Sequence, residues 1–523
     1  MEQRPQRARA VMVLGTSSHV GKSLLTAALC RIFAQQGCSV APFKSQNMSL
    51  NSAATVEGLE MGRAQALQAE AARIAPSVHM NPILIKPAGE ASAQIVVRGR
   101  IWGHVSATEY HLRRVEDLMP LVRESYALLA KAHDVIVLEG AGSPAEINLK
   151  QHDIVNLRMA EMANARCILV ADIDRGGVFA SLLGTLELLE PWERERIGGF
   201  VINKFRGDLS LLEPGVHMIE ERLKKPCLGV VPYLPDLALE EEDSVGLPHI
   251  AQRTRSSFAE SGRDRRLRVA VVALPSFSNF TDFDAMRAEN SVELVFCRTT
   301  EMLADADVVV IPGSKQTVDD LAWMRRSGLD HAVIKHAATR PVVGICGGMQ
   351  MLGTSIADPE GVEHAGVVAG LKLLPLRTIM RTRKVTRTRT GLLAAETLLG
   401  QRVATKRVAG YEIHVGETIY EPQARPFAVL DGEAQWDGCV SKDGHVMGSY
   451  LHGLFDDDAF RHAFVLAART FAGLSNDVAL TQWKAKREES LDRLAAEVTK
   501  ALDLRTIFAW VGQTYDEAPV EAR

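Results

Sequence analysis

The chain has 523 residues, which at about 150 residues per domain suggests two to four domains with sizeable cores. Lys and Arg number 60 against 64 Asp and Glu, and the resulting net charge of −4 excludes a general nucleic-acid binder. Seven cysteines (30, 38, 167, 227, 297, 346 and 439) lack C-x-x-C or Cys/His ligand spacing, which excludes a disulfide framework and a zinc site and predicts a reducing compartment.

No uninterrupted apolar run reaches the ~18 residues of a membrane span. The first ten residues lack the apolar core of a secretion signal, so a cytoplasmic protein is expected.

In chain order, V-M-V-L-G-T-S-S-H-V-G-K-S-L-L-T predicts a strand at 11–14, a glycine-bounded loop and a helix. Backbone N–H groups of such a loop cradle phosphates, here from Gly15 and Thr16 to Gly21. Lys22 neutralises them and the Ser23 hydroxyl takes a Mg²⁺ position. The interval from Gly15 to Gly21 is one residue longer than the standard Walker pattern. Further apolar strands are predicted at 40–43, 134–138, 167–171, 199–203 and 227–231. Their continuous hydrophobicity and helix-length intervals are those of a parallel sheet covered on both faces.

Ligands of an open α/β sheet gather where its strands end. A-P-F-K-S-Q-N places Lys44, Gln46 and Asn47 there as candidates for phosphate and substrate. Glu139 follows its strand as a second Mg²⁺ contact, and Asn203 ends another with an amide suited to an adenine edge. Asp172, Asp174 and Arg175 in A-D-I-D-R-G-G fit switch, metal and substrate roles alike.

The pattern then breaks into an acidic and polar stretch, read as a linker. A second strand series follows at 268–274, 292–297, 308–311 and 342–345. Spacing turns irregular and more β-like to about His452, after which the chain reads as helical. The expected organisation is a P-loop domain at 1–236, a linker at 237–266, an α/β domain at 267–460 and a helical extension at 461–523. The extension is expected to pack on the second domain. The basic string R-T-I-M-R-T-R-K-V-T-R-T-R-T-G is read as a solvated strand face.

V-V-G-I-C-G-G-M-Q ends a buried strand at Cys346 in glycines, with a helix expected to start near Met349. Free N–H groups and the dipole of such a helix favour a thiolate and hold a developing oxyanion. G-S-Y-L-H-G-L-F supplies His452 as the base that the thiol needs. A thiol hydrolase and a phosphate-binding loop on one chain suggest that one releases a nucleophile and the other activates its target.

These residues, with the strings Q-N-M-S-L-N-S, G-R-A-Q-A-L-Q-A-E-A-A-R, G-S-P-A-E-I-N-L, A-D-I-D-R-G-G, S-N-F-T-D-F-D, P-G-S-K-Q-T, G-Y-E-I-H-V-G and Y-L-H-G-L-F-D, make the chain resemble the cobyric acid synthases, glutamine-dependent amidotransferases of cobalamin biosynthesis. The resemblance runs from Gly15 to about His462. It implies an N-terminal domain of the dethiobiotin-synthetase type and a C-terminal class I glutamine amidotransferase domain. It also implies MgATP, glutamine as nitrogen donor, and amidation of the b, d, e and g carboxylates of adenosylcobyrinic acid a,c-diamide. Backbone N–H groups of Gly347 and, by analogy, Gly313 are the implied oxyanion donors.

One departure stands out. Triad amidotransferases carry a glutamate two residues after the histidine, where this chain has Leu454. Asp456 and Asp457 are near in sequence, without an assigned part. Two other classes share some of these features: another amidoligase such as cobyrinic acid a,c-diamide synthase, and a non-catalytic ParA-like ATPase switch. The Cys346 elbow speaks against the second.

Overall fold

The computed structural model describes residues 8–88, 92–106, 110, 114–240, 265–394, 397–403, 405–432 and 435–516. The chain forms two compact units. One comprises Met1–Met48, Met61–Glu242 and Arg487–Arg523; the other comprises Ser49–Glu60 and Asp243–Lys486.

The first unit is built on a six-stranded parallel sheet. Its order is Cys227–Pro232, Ile197–Phe205, Arg166–Asp172, Arg9–Gly15, Val135–Glu139 and Val40–Phe43. All six strands are among those expected from the sequence, each within two residues of its predicted ends. The strand bearing Val11 to Leu14 is central, and these four residues are fully buried, because helices cover both faces of a parallel sheet. Gly21, at φ 98°, turns the chain into the helix Lys22–Gln35, which lies against this core.

Gln46–Met48 does not extend that sheet. It pairs with Ile83–Ala88 in a second sheet completed by Ser92–Val97 and Arg100–Ser106. Sequence reasoning missed this sheet because its strands are short, half-polar and joined by hairpins.

The helix Asp458–Phe471 packs in the second unit as expected, but the last two C-terminal helices do not. Trp483–Ala501 carries Leu491, Leu494 and Val498, and Leu504–Trp510 carries Ile507 and Phe508, all in the core of the nucleotide-binding unit. Buried Arg31 pairs with Glu488 at 2.5 Å and Asp492 at 3.3 Å, fixing the first of these helices on Lys22–Gln35. The Phe508 ring meets Phe33 with centroids 4.3 Å apart. Phe508→Ala should therefore cost about 3–5 kcal/mol, read as an earlier denaturant midpoint for this unit. Of the expected linker, 241–264 lies outside the described residues. Glu240, just before it, is buried and paired with Arg63 at 2.7 Å and Arg487 at 2.6 Å.

The second unit holds another mostly parallel sheet, ordered Val292–Cys297, Leu267–Val272, Val308–Ile311, Val342–Ile345, Val446–Ser449 and antiparallel Cys439–Val440. Beside it, Leu376–Leu393 and Arg407–Tyr420 form a long antiparallel arm, with a register shift between Met380 and Val385. The basic string lies on the first of these strands. Its small and apolar members Thr378, Met380 and Gly391 are buried, while Arg377, Arg383 and Arg387 are exposed.

Candidate active site

Cys346 follows the strand Val342–Ile345 directly, and the helix Gly347–Leu352 begins at the next residue, earlier than the sequence suggests. The cysteine has φ 51° and ψ −110°, a conformation that L residues avoid at a cost of order 1–3 kcal/mol. Close packing enforces it. A Cβ at Gly348 would stand 2.0 Å from Ile311 O, so only glycine lets the helix start there.

The neighbouring strand supplies the base. Cys346 N–H donates to Ser449 O at 2.8 Å, and three residues later His452 is pinned by two backbone bonds with Tyr411. Cys346 and His452 are both buried, and the sulfur acts directly on the imidazole. Gly313 belongs to the same cluster: a Cβ built on it would lie 2.8 Å from His452 Cε1. Gly347 faces the adjoining Ser314 backbone N–H, 3.0 Å from its own virtual Cβ. The structure thus gathers all four residues singled out for the thiol site.

It also supplies the acid absent from position 454. Asp282 Oδ2 lies 2.7 Å from His452 Nδ1, and its other oxygen accepts the Gly453 N–H at 2.8 Å. A carboxylate against Nδ1 requires the proton there and turns Nε2 toward the sulfur. Burial alone would lower the imidazole pKa. The Asp282 carboxylate and the Cys346 sulfur outweigh it and raise the value to about 10. Asp282 lies 170 residues before His452, inside S-N-F-T-D-F-D. That string is one of those that carry the family resemblance, but nothing local links it to the histidine. Asp457, one of the two nearby acids, instead caps the helix Asp458–Phe471 by accepting the Phe460 N–H at 3.0 Å.

In the nucleotide-binding unit the predicted residues converge on Glu139. The Ser23 hydroxyl donates to Oε1 at 2.7 Å, and Lys44 Nζ lies 3.0 Å from the same oxygen. Gln68 donates to Oε2 at 2.6 Å. Lys22 Nζ donates to the Ser17 and Gly142 carbonyls at 2.8 and 3.0 Å, bridging the loops that follow two strands. Thr16 N–H donates to Val170 O at 2.9 Å. Asn203 lies at the loop too, although its Nδ2 is engaged by Val20 O at 2.8 Å and packs against Gly21.

Gln46 Oε1 accepts from Tyr110, and Asn47 Nδ2 donates to Gln65 Oε1 at 3.1 Å. Gln65 and Gln68 were missed as site residues. Their three-residue spacing in G-R-A-Q-A-L-Q-A-E puts both on one face of the helix Arg63–Ala71, a signal that was available. Gln65 Nε2 and Gln68 Oε1 are buried with no hydrogen-bond partner among the described residues. Lys204 joins Asp172 at 2.9 Å to the phosphate loop by donating to His19 O at 2.7 Å, and Arg206 pairs with Asp174 at 3.1 Å.

The comparisons with known proteins match two domains. Residues 11–245 match the CobQ/CobB/MinD/ParA nucleotide binding domain, and residues 268–460 match the CobB/CobQ-like glutamine amidotransferase domain. Fold and sequence together define an ATP-using glutamine amidotransferase. Curated relatives specify it further. A cobyric acid synthase of Moorella thermoacetica is 46% identical over 97% of this chain and 98% of its own length. Those of Clostridium botulinum and Syntrophobacter fumaroxidans are 44% and 46% identical, over 96% and 97% of this chain and 99% of each relative. The chain belongs to the cobyric acid synthase family. It carries out glutamine-dependent amidation in cobalamin biosynthesis, with ATP and glutamine as co-substrates. Among the described residues no helix is long and apolar enough to cross a membrane.

Proposed function

We propose that the chain amidates the b, d, e and g carboxylates of adenosylcobyrinic acid a,c-diamide, giving adenosylcobyric acid at the expense of one glutamine and one ATP per amide. A carboxylate does not react with ammonia at neutral pH because oxide is a poor leaving group. Its oxygen therefore attacks the γ-phosphorus of ATP and ADP leaves; ammonia then attacks the acyl phosphate and phosphate departs. Lys22 and Lys44 orient and neutralise the phosphates, which is most of what phosphoryl transfer asks of a protein. The Ser23 hydroxyl and Glu139 carboxylate, 2.7 Å apart, are a hard oxygen pair of the kind magnesium takes alongside phosphates. Bound there, the ion would offset charge on the transferring group. The unpartnered Gln65 Nε2, beside Asn47, can donate to a substrate carboxylate.

Ammonia comes from the second unit. Cys346 attacks the glutamine amide carbon, the oxyanion rests on backbone N–H groups at Gly347 and Gly313, and His452 gives its proton to the departing nitrogen. Water then releases glutamate from the thioester. The observation that carries this reading is the Cys346–His452–Asp282 constellation on the same chain as the Ser23–Glu139 loop. All reactants are small molecules, which suits a cytoplasmic enzyme.

Mass spectrometry of adenosylcobyrinic acid a,c-diamide incubated with protein, MgATP and glutamine tests it. Four successive losses of about one mass unit, each OH replaced by NH₂, are expected of activated acyl transfer. An unchanged diamide, with glutamate and ADP still released, would point to a different acid.

A further inference from the structure

The motif Q-N-M-S-L-N-S is divided between the two units. Gln46 and Asn47 stand in the nucleotide-binding unit, whereas the strap Ser49–Glu60 belongs to the amidotransferase unit. There Asn51 Oδ1 accepts the Phe280 N–H at 3.1 Å, and Asn279 Oδ1 accepts the Ser52 N–H at 2.9 Å. The two asparagines thus clasp each other's neighbouring backbone, and Asn51, Ser52, Asn279 and Phe280 are all buried. The far end of the strap is held by Glu60, paired with Lys384 at 2.5 Å.

What the clasp grips is the turn that carries Asp282. This is the single 3₁₀ turn Phe280–Phe283, entered through Asn279 in the left-handed region at φ 54°. Such a short turn has little internal hydrogen bonding, so its conformation is set from outside. On one side Ser278 N–H donates to Gly313 O at 3.0 Å, and on another Asp282 meets His452 and Gly453. The remaining side is closed by Asn51. Its amide suits the position because it offers a neutral acceptor; a carboxylate there would bring a second buried charge close to Asp282.

We propose that Asn51 is a positioning residue of the glutaminase. It fixes the Phe280 backbone and thereby the angle and distance of Asp282 to His452. This rests on the assignment of Cys346 and His452 to glutamine hydrolysis. A misplacement of about 1 Å in such a constellation lowers turnover by on the order of 100-fold without a contact to the substrate being lost.

The test is steady-state glutamate release from glutamine by the full-length Asn51→Ala protein across pH, with hydrogen–deuterium exchange of the 276–284 segment. Expected are a kcat drop of on the order of 10- to 100-fold with a KM for glutamine near that of the unmodified protein. The alkaline limb of the profile should move toward neutrality, and the Phe280 amide should exchange faster. Asn51→Ser, too short to reach that amide but still polar, should behave alike and serves if the alanine variant does not fold. A kcat within twofold of the unmodified protein, or a lowered kcat on an unmoved pH profile, overturns the positioning role. Undiminished glutamate release by Cys346→Ala would instead overturn the site assignment beneath it.

Discussion

Asp282→Asn should lower glutamine-dependent turnover by about 10⁴-fold while leaving the fold intact, the scale seen when a triad carboxylate becomes an amide. The reason is protonic. Asp282 only accepts, so His452 must carry its proton on Nδ1 and present Nε2 to the sulfur. An asparagine can turn its N–H₂ to the ring and stabilise the opposite tautomer. The substitution also removes one of the charges that oppose burial, so the imidazole pKa should fall from about 10. A histidine with a raised folded-state pKa adds stability that is complete below its unfolded value and is lost as pH rises through the folded one. For His452 that window runs from about 6.5 to about 10. Glutamate release against pH should therefore lose its alkaline shoulder in the variant. Turnover within tenfold of the unmodified enzyme on an unchanged profile would remove Asp282 from the mechanism.

Local pattern explains what the sequence made legible. Val11 to Leu14 and Val342 to Ile345 read as buried parallel strands because both of their faces need apolar cover, and the structure places both inside sheets. Cys346 and Lys22 announce themselves because each sits in a glycine-punctuated strand-to-helix turn, where spacing alone constrains the backbone. Asp282 was not legible, since the bond to His452 joins residues 170 apart and the fold alone decides which acid reaches the ring. The nearer acids stayed unassigned for the same reason: Asp457 has a capping task that proximity in sequence does not reveal. The last two tail helices also read correctly as helices but were assigned to the wrong unit, whereas Asp458–Phe471 packs in the amidotransferase unit as expected. Amphipathic periodicity shows that a face needs cover and is silent about which core supplies it. Divided motifs are hardest of all. Q-N-M-S-L-N-S looks like one functional string, yet Asn47 bonds Gln65 while Asn51 bonds the Phe280 backbone.

Lys22→Ala should abolish amidation from glutamine and from added ammonia alike, whereas Cys346→Ala should abolish only the first. Lys22 Nζ reaches two carbonyls, of Ser17 and Gly142, at the mouth of the phosphate loop, leaving its charge where transferring oxygens must gather. Lys44, the other lysine assigned to the phosphates, shares its charge with the Glu139 carboxylate at 3.0 Å and so makes up for the loss only in part. Without that charge the carboxylate is not activated, and no nitrogen source can compensate. Losing a phosphate clamp of this kind costs on the order of 10³-fold or more in phosphoryl transfer. Cys346 acts one step earlier, on glutamine, so external ammonia should bypass its loss. The two variants are compared by product mass, with glutamate and ADP measured in the same reactions. Ammonia-driven amidation surviving in Lys22→Ala would detach the phosphate loop from carboxylate activation. Its loss in Cys346→Ala would mean that the two chemistries are not separable in the way their placement in two units implies.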